Sequence, residues 1–377
     1  MSEPAPSVDA AGFTAYPAKP VDIEQIEREL TAMWSEPPAG ADAAPVTRAC
    51  MSNLIVFAPD RDAASRLGDE IVPLVEHHPS RVLMLVVDPA KDGDQVEAYV
   101  SALCHLGDGG RQVCSEHVVI TSSDRMLRRL PSVVRPLILG DLPTALWWTG
   151  ATPPSRGGEL FRELAEVASQ VIFDSLEWDD QERAFVDTAT WSAGVPRGNG
   201  VSDLAWTRLG PWRSLVSQAL DPAVAPGALD TLLEVEVEHG ARTGPQAWLL
   251  VGWLADRLRW KVQSARRLGP RRFEWIFTTR TPIEVRAVTR PGDADPPDAF
   301  ATRLCWGKQQ DPTEVRVVCH GGERIAIASR GTPTHGVIVP SRSRAAMVAQ
   351  EMADLGHDAV YRSSLEIARR LVDEVNA

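Results

Sequence analysis

The sequence predicts two α/β domains, each a mixed sheet flanked by helices, the second of α+β type with antiparallel strands. Three observations carry this. A chain of 377 residues exceeds the about 100–200 residues that one domain usually takes. Between residues 52 and 87 an apolar run, a helical period and a second apolar run succeed one another, the signature of parallel strand, crossover helix and parallel strand. Beyond residue 272, runs of alternating apolar and polar residues follow with only turns between them, as antiparallel strands do.

Residues 1–45 divide into a Pro/Ala-rich tail, a short helix and a linker. In the helix, Ile23, Ile26, Leu30, Met33 and Trp34 recur at helical spacing behind an acidic first turn. The first domain is expected over 46–198. Its first strands are placed at 52–57 (SNLIVF) and 81–87 (RVLMLVV), with a helix at 62–77 between them. Residues 96–106 and 111–120 flank Gly107-Asp108-Gly109-Gly110 and read as a hairpin. A helix at 124–139 must be interrupted by Pro131 and Pro136, and strand, helix and strand follow at 144–148, 158–168 and 170–173. The glycine-rich loop at 194–200 sets the boundary, and the second domain is expected over 199–377. There Ser202 or Asp203 caps a helix through Leu209, which Pro211 kinks or restarts as far as Leu220. A strand at 231–237, a strongly apolar helix at 246–260 and antiparallel strands at 273–278, 283–289, 300–306 and 314–319 come next. Ser363 to Glu366 read as a capping box for a last helix at 365–375.

With 39 Lys and Arg against 51 Asp and Glu, the net charge is −12. That balance argues against nucleic acid, whose phosphates demand a basic surface, and against an anionic membrane. No run approaches the roughly 18 apolar residues needed to span a bilayer, and no apolar signal segment opens the chain. Cys50, Cys104, Cys114, Cys305 and Cys319 are scattered and odd in number, so all five are expected as free thiols of a cytoplasmic protein.

Chemistry is hard to find. GxGxxG, Walker A, HExxH and GxSxG patterns are all missing, so no catalytic residue and no cofactor is assigned. Cys104, His105, Cys114 and His117 are the only clustered metal-ligand types. A four-residue turn would set Cys104 opposite Val113 and Cys114 opposite Leu103, aiming the two thiols at opposite faces of the sheet. Small buried strand residues are therefore preferred over zinc. His77-His78, ending a helix, reads as a partner of its dipole.

Two stretches are richer. In 135–150 (RPLILGDLPTALWWTG), Pro143 cannot donate to a sheet and marks a strand's start. Trp147 and Trp148 must face opposite sides of that strand, so one needs a helix of the chain or a partner to cover it. In 203–213 (DLAWTRLGPWR), Leu204, Trp206, Arg208, Trp212 and Arg213 crowd about three turns. Their arginines either grip an external carboxylate or phosphate or clamp the helix to Asp141 or Asp174. Tryptophan is abundant, 12 against 3 Tyr and 8 Phe, and all but Trp34 and Trp306 fall between Trp147 and Trp275. Trp206 and Trp212 are thus expected to be buried near the domain junction, making one rigid body.

The ordered series CxSNLIVFAP, HPSRVLML, RPLILGDLPTALWW, VIFDS, DLAWTRLGPWR and WLLVGWLADRL resembles the glucose-6-phosphate dehydrogenase assembly protein (OpcA) family, from about Cys50 to Trp260. The resemblance implies a non-catalytic, cytoplasmic protein of carbohydrate metabolism. It would bind glucose-6-phosphate dehydrogenase as an allosteric activator, promote its active oligomer and so feed the oxidative pentose phosphate pathway. Candidate partner-interface residues are Asp141, Pro143, Trp147, Trp148, Arg208, Trp212 and Arg213. Some members are tuned by thiols; with no CxxC here, redox control is not expected. The alternative is a sugar-phosphate-handling enzyme or sensor of the same pathway, with Arg208, Arg213, Asp141, Asp174 and His78 lining a phosphate pocket.

Overall fold

The computed structural model describes residues 7–8, 14–15, 19–35, 46–91, 96–107, 112–292, 300–320, 324–329, 335–338, 342–354, 356 and 358–376. The chain forms two units. The first takes Met1–Phe173, Pro196–Ser202 and Ser343–His357; the second takes Asp174–Val195, Asp203–Arg342 and Asp358–Ala377. Each unit therefore draws on both sides of residue 198.

In the first unit, three short strands, β1 (Ser7–Val8), β2 (Thr14–Ala15) and β3 (Lys19–Pro20), precede helix α1 (Ile23–Ser35) and strand β4 (Val46–Arg48). Then come β5 (Ser52–Ala58), α2 (Arg61–His77) and β6 (Ser80–Val87). Both strands are buried at every position, the pattern of strands covered on both faces. Strands β7 (Glu97–Leu106) and β8 (Gln112–Ser122) form the expected hairpin, whose turn at 108–111 lies outside the described residues. A 3-10 turn (Asp124–Arg129) leads into α3 (Leu130–Leu137), with Pro131 in its first turn, so the proline restarts a helix instead of breaking one. Next follow β9 (Thr144–Trp148), α4 (Gly158–Val167), β10 (Gln170–Phe173) and β11 (Gly200–Asp203); α5 (Gln181–Ala193), between β10 and β11 in the chain, belongs to the second unit.

The sheet runs β1-β2-β7-β8-β6-β5-β9-β10-β11, with β3 on β7 and β4 on β8. From β8 to β10 neighbours are parallel. Counted along the chain from β5 and leaving out β7, these are the third, second, first, fourth and fifth strands, with β11 sixth. That is the order of doubly wound sheets that bind dinucleotides at the first-to-fourth switch point.

Register corrects the thiol expectation. Leu106 pairs with Gln112, one residue more than a four-residue turn allows, and every later pair shifts with it. Cys104 comes to face Cys114 directly, and the two form a disulfide with their Cα atoms 4.0 Å apart. Cys50 and Cys305 are free thiols, each with its pKa raised first by burial; the Cys319 side chain lies outside the described ones.

The second unit contains α5, α6 (Leu204–Arg208) and α7 (Gly210–Ala219), split at the expected proline. Then come β12 (Leu232–His239), α8 (Gly244–Leu258), β13 (Lys261–Gly269), β14 (Arg272–Thr278), β15 (Glu284–Pro291), β16 (Phe300–Lys308), β17 (Asp311–His320), β18 (Arg324–Ser329) and β19 (His335–Ile338). Its sheet runs β13-β14-β15-β12-β16-β17-β18-β19, antiparallel except for the β12–β15 pair. Phe273, Trp275 and Phe277 point to one face and are buried, Trp275 donating its Nε1–H to Leu371 O at 2.9 Å. The alternate residues build a ladder of ion pairs in which Glu234, Glu236 and Glu238 stand between Arg286 and Arg290 on one side and Arg303 and Arg316 on the other.

Two helices close the chain: α9 (Arg344–Ala353), in the first unit, and α10 (Ala359–Asn376), in the second. The capping box is corrected. Ser363 lies inside α10, which starts at Ala359, where Asp358 accepts the Tyr361 N–H at 2.8 Å, and Glu366 pairs with Arg369 and Arg370. No described helix is long and apolar enough to cross a membrane.

Candidate functional site

The switch point between β5 and β9 is the place where a doubly wound sheet would take a nucleotide. A pyrophosphate there needs a glycine-lined turn and free N–H groups at the following helix. The turn of this chain is Ala58-Pro59-Asp60-Arg61. Asp60 caps α2 by accepting the Ala63 N–H at 2.6 Å, so a carboxylate occupies the anion's position. The Pro59 ring packs toward Gly150 at the end of β9; Gly150 has φ 94°, and a Cβ there would stand 3.0 Å from that ring. Asp88, just past β6, occupies the place of the acid that binds a ribose, but it accepts from Arg61 Nε at 2.7 Å. Turn, helix end and acid are thus satisfied by one another.

Asn53 shapes the 138–144 loop from below. Fully buried, it donates through Nδ2 to Leu139 O at 3.0 Å and to Thr144 Oγ1 at 3.2 Å, and accepts the Leu139 N–H at 2.9 Å. This leaves Asp141 exposed on the loop and Pro143 half-buried before β9. Both tryptophans of β9 are covered by the chain itself. Trp148 stacks on Phe57 with centroids 3.9 Å apart, meets Phe161 edge-on at 5.1 Å and donates to Thr152 O at 2.9 Å. Trp147 lies under the Arg344 guanidinium at 5.3 Å, and Arg344 also grips Glu70 of α2 through two 2.7 Å bonds. A helix from near the end of the chain, α9, thus supplies the cover that sequence could not name.

The 203–213 stretch gathers the segments of the second unit. Arg208 holds Asp174 bidentately at 2.9 and 2.7 Å, the clamp that the sequence offered as one of two internal choices. Trp206 donates to Asp358 at 2.8 Å, packs on Tyr361 and carries the Arg213 guanidinium 3.5 Å above its ring. Trp212 meets Phe300 edge-on at 4.9 Å. Both tryptophans are buried, with these partners inside their own unit. Asp174, Asp203 and Asp358 each open a segment of that unit, and α6 or its cap touches all three. Asp203 accepts from the N–H groups of Ser175 at 3.1 Å and Ala205 at 2.9 Å. Burial, reinforced by Asp174, pushes its pKa up to about 7.

The residues proposed for a phosphate pocket do not all converge. Arg208 and Asp174 are spent on each other and Arg213 lies over Trp206, all in the second unit. His78 belongs to the first, buried against Ser52 Oγ at 3.1 Å, with its pKa lowered by burial. His77 bonds Pro73 O at 2.7 Å at the end of α2, as the helix-end reading expects. Among the described residues no cluster of three His, Cys, Asp or Glu side chains is placed to hold a metal.

Comparison with known proteins fits this geometry. Residues 73–190 match the family model described as glucose-6-phosphate dehydrogenase subunit N-terminal domain, and residues 199–365 the corresponding C-terminal domain. The OxPP cycle protein OpcA of Nostoc punctiforme is 26% identical over 332 residues, 82% of this chain and 68% of that protein. Its namesake from Synechocystis is 29% identical over 210 residues, 55% of this chain and 42% of the relative. Among solved structures, glucose-6-phosphate 1-dehydrogenase from Mycobacterium avium superposes with a TM-score of 0.52 at 13% identity, covering 86% of this chain and 91% of that one. That likeness is one of fold. The paired domain models and the OpcA relatives agree with the motif series, and the chain belongs to the glucose-6-phosphate dehydrogenase assembly protein (OpcA) family.

Proposed function

We propose that this chain is a non-catalytic, cytoplasmic assembly factor that binds glucose-6-phosphate dehydrogenase, favours its active oligomer and so supports the oxidative pentose phosphate pathway. Family membership supports the partner. The single structural observation that carries the non-catalytic reading is the switch point, where Asp60, Pro59 and the Arg61–Asp88 pair fill the positions a dinucleotide would need. Activation by binding requires a partner that prefers one oligomer or conformation; a tenfold gain takes about 1.4 kcal/mol of differential affinity. Of the candidate anchors, Asp141, Pro143, Arg208 and Arg213 retain exposure, while Trp147, Trp148 and Trp212 are buried. The proposed contacts are therefore the four exposed or half-buried residues, with Trp206 supporting the Arg213 guanidinium from beneath. The test is steady-state NADPH production by the cognate dehydrogenase with and without this chain, alongside its oligomer size. Activation with a changed oligomer distribution is expected, and Asp141→Ala with Arg213→Ala is expected to weaken it. No change in either kinetic constant or in size would refute the reading.

A further inference from the structure

Residues 257–272 (RLRWKVQSARRLGPRR) carry seven arginines and lysines and no acid, in a chain whose net charge is −12. All seven are exposed. The run covers the end of α8, strand β13 and the turn into β14. Strand β13 stands at the edge of its sheet, with β14 as its one described neighbour. An edge strand turns half of its N–H and C=O groups outward. Three of the cations are used within the unit: Arg257 pairs with Asp256, Arg266 with Glu274, and Arg267 with Glu182 at 2.6 Å. The other four, Arg259, Lys261, Arg271 and Arg272, pair with no described carboxylate.

Backbone strain falls on the same run. Arg259, directly after α8, has φ 55°, and Arg271, in the Pro270-Arg271 turn between β13 and β14, has φ 54°. Among the described residues these are the two non-glycine residues in the left-handed region. Glycine suits both places, just past a helix and second in such a turn. The backbone bonds there need no arginine: the Arg259 N–H reaches Ala255 O and Asp256 O, and Arg271 O accepts from His239 at 3.2 Å. No ion pair to a described carboxylate offsets the strain at either residue.

Basic residues on an edge strand keep copies of one chain apart. That task requires no arginine where the backbone favours glycine, and it leaves the edge open to a segment of opposite charge. The 9 residues of β13 span about 30 Å at roughly 3.4 Å each, with Arg259 and Lys261 at the start and Arg271 and Arg272 past the end. A nucleic-acid strand would meet the cations but not the row of main-chain groups, and the net charge disfavours it. We propose that β13 is a docking edge for an extended acidic segment of a partner protein. The segment pairs with the outward N–H and C=O groups of the strand and sets carboxylates against the cations at both ends.

The experiment titrates the full chain into a labelled peptide of alternating valine and threonine with two glutamates at each end, read by fluorescence anisotropy. A Kd of about 100 µM or below is expected, with slower hydrogen exchange over residues 261–269 in the complex. A second peptide with proline in place of threonine keeps the charge, loses strand N–H donors and is expected to bind at least about tenfold more weakly. Arg259→Gly with Arg271→Gly gives each position the residue its φ favours. This variant is expected to melt no lower than wild type while its affinity falls about tenfold, a split that a merely structural role would not produce. Lys261→Gln with Arg272→Gln alters two other exposed side chains and is expected to weaken binding similarly. No binding by about 1 mM, equal affinity for the proline peptide or for a thymidine oligonucleotide, unchanged exchange over β13, or full affinity in both variants would overturn the proposal. None of these measurements involves the dehydrogenase, so they stand whether or not the chain activates it.

Discussion

At the start of α2 in the first unit, Asp60 turns its carboxylate back onto the Ala63 N–H and Arg61 reaches Asp88; at the starts of α5 and α8 in the second, Asp180 and Thr243 leave their helices without a side-chain cap. The first arrangement sits where the fold would bind a nucleotide and is complete in itself. The second lines a pocket together with Arg271, one of the cations around β13 that no described carboxylate pairs. The difference teaches that architecture does not decide function: a turn of four residues closes the crevice that the fold would use, while the unpaired cations stand elsewhere, at the ends of an edge strand.

The contrast rests on which charges are satisfied internally, and the sharpest test removes one that is. Arg208→Ala leaves Asp174, 4% exposed, beside Asp203 with no cation bonded to it. Breaking a buried pair from one side costs about 3–5 kcal/mol; with the Arg208 side chain 29% exposed, about 3 kcal/mol is expected in urea denaturation. A loss below about 1 kcal/mol would mean the clamp is ornamental.

Asp203 itself carries a pH signature. Its folded pKa is raised to about 7, so between pH 4 and 7 the folded chain holds a proton that the unfolded chain has released. Stability contributed by this group is therefore present below the unfolded pKa and falls as pH rises, by at most about 1.4 kcal/mol per pH unit. His117, lowered to about 4 by burial, acts the other way: its stabilising contribution is lost as pH falls from 6.5 toward 4. Asp203→Asn keeps an acceptor for the Ser175 and Ala205 N–H groups. It is expected to flatten the decline up to pH 7 and to leave the chain more stable than wild type at pH 8. Urea melts at pH 5, 6, 7 and 8 decide it, an unchanged decline between pH 6 and 7 counting against the assignment.

Closure of the switch point is tested at Gly150. An alanine there would adopt a left-handed backbone and push against Pro59. A cost of about 2 kcal/mol is expected by the same melts, and a neutral result would show the crevice to be slack.

Much of this was legible in the residues, and the omissions have physical causes. Apolar runs such as 81–87 and the proline at 211 marked elements because they depend on local chemistry. Strand order did not show, since β5 meets β9 across some ninety residues and nothing local records the pairing. The hairpin register turned on one residue of loop length, and with it the Cys104–Cys114 bond. Helix α5, QERAFVDTATWSA, was missed because its threonines and weak apolar stripe resemble a loop, and β13 because its KVQSARRLG is almost wholly polar. Ser363 and Glu366 show that S-x-x-E spacing recurs inside helices as readily as at their ends. Of the candidate site, the 203–213 motif was found, but its role as an internal tie could be offered only as one of two readings. The second-unit pocket left no motif, because it is assembled from the 176–182 segment, the 239–248 connection and Arg271.

The comparison is broken or kept most directly at the helix ends themselves. Asp60→Ala removes a carboxylate that satisfies an α2 N–H and complements the helix dipole, a loss of about 1 kcal/mol. Asp180→Ala, at the N-cap of α5, removes no side-chain capping bond, so it should cost less stability than Asp60→Ala. Equal stability losses at the two positions would place Asp180 among the structural caps and erase the distinction between a helix end capped by its side chain and one that is not.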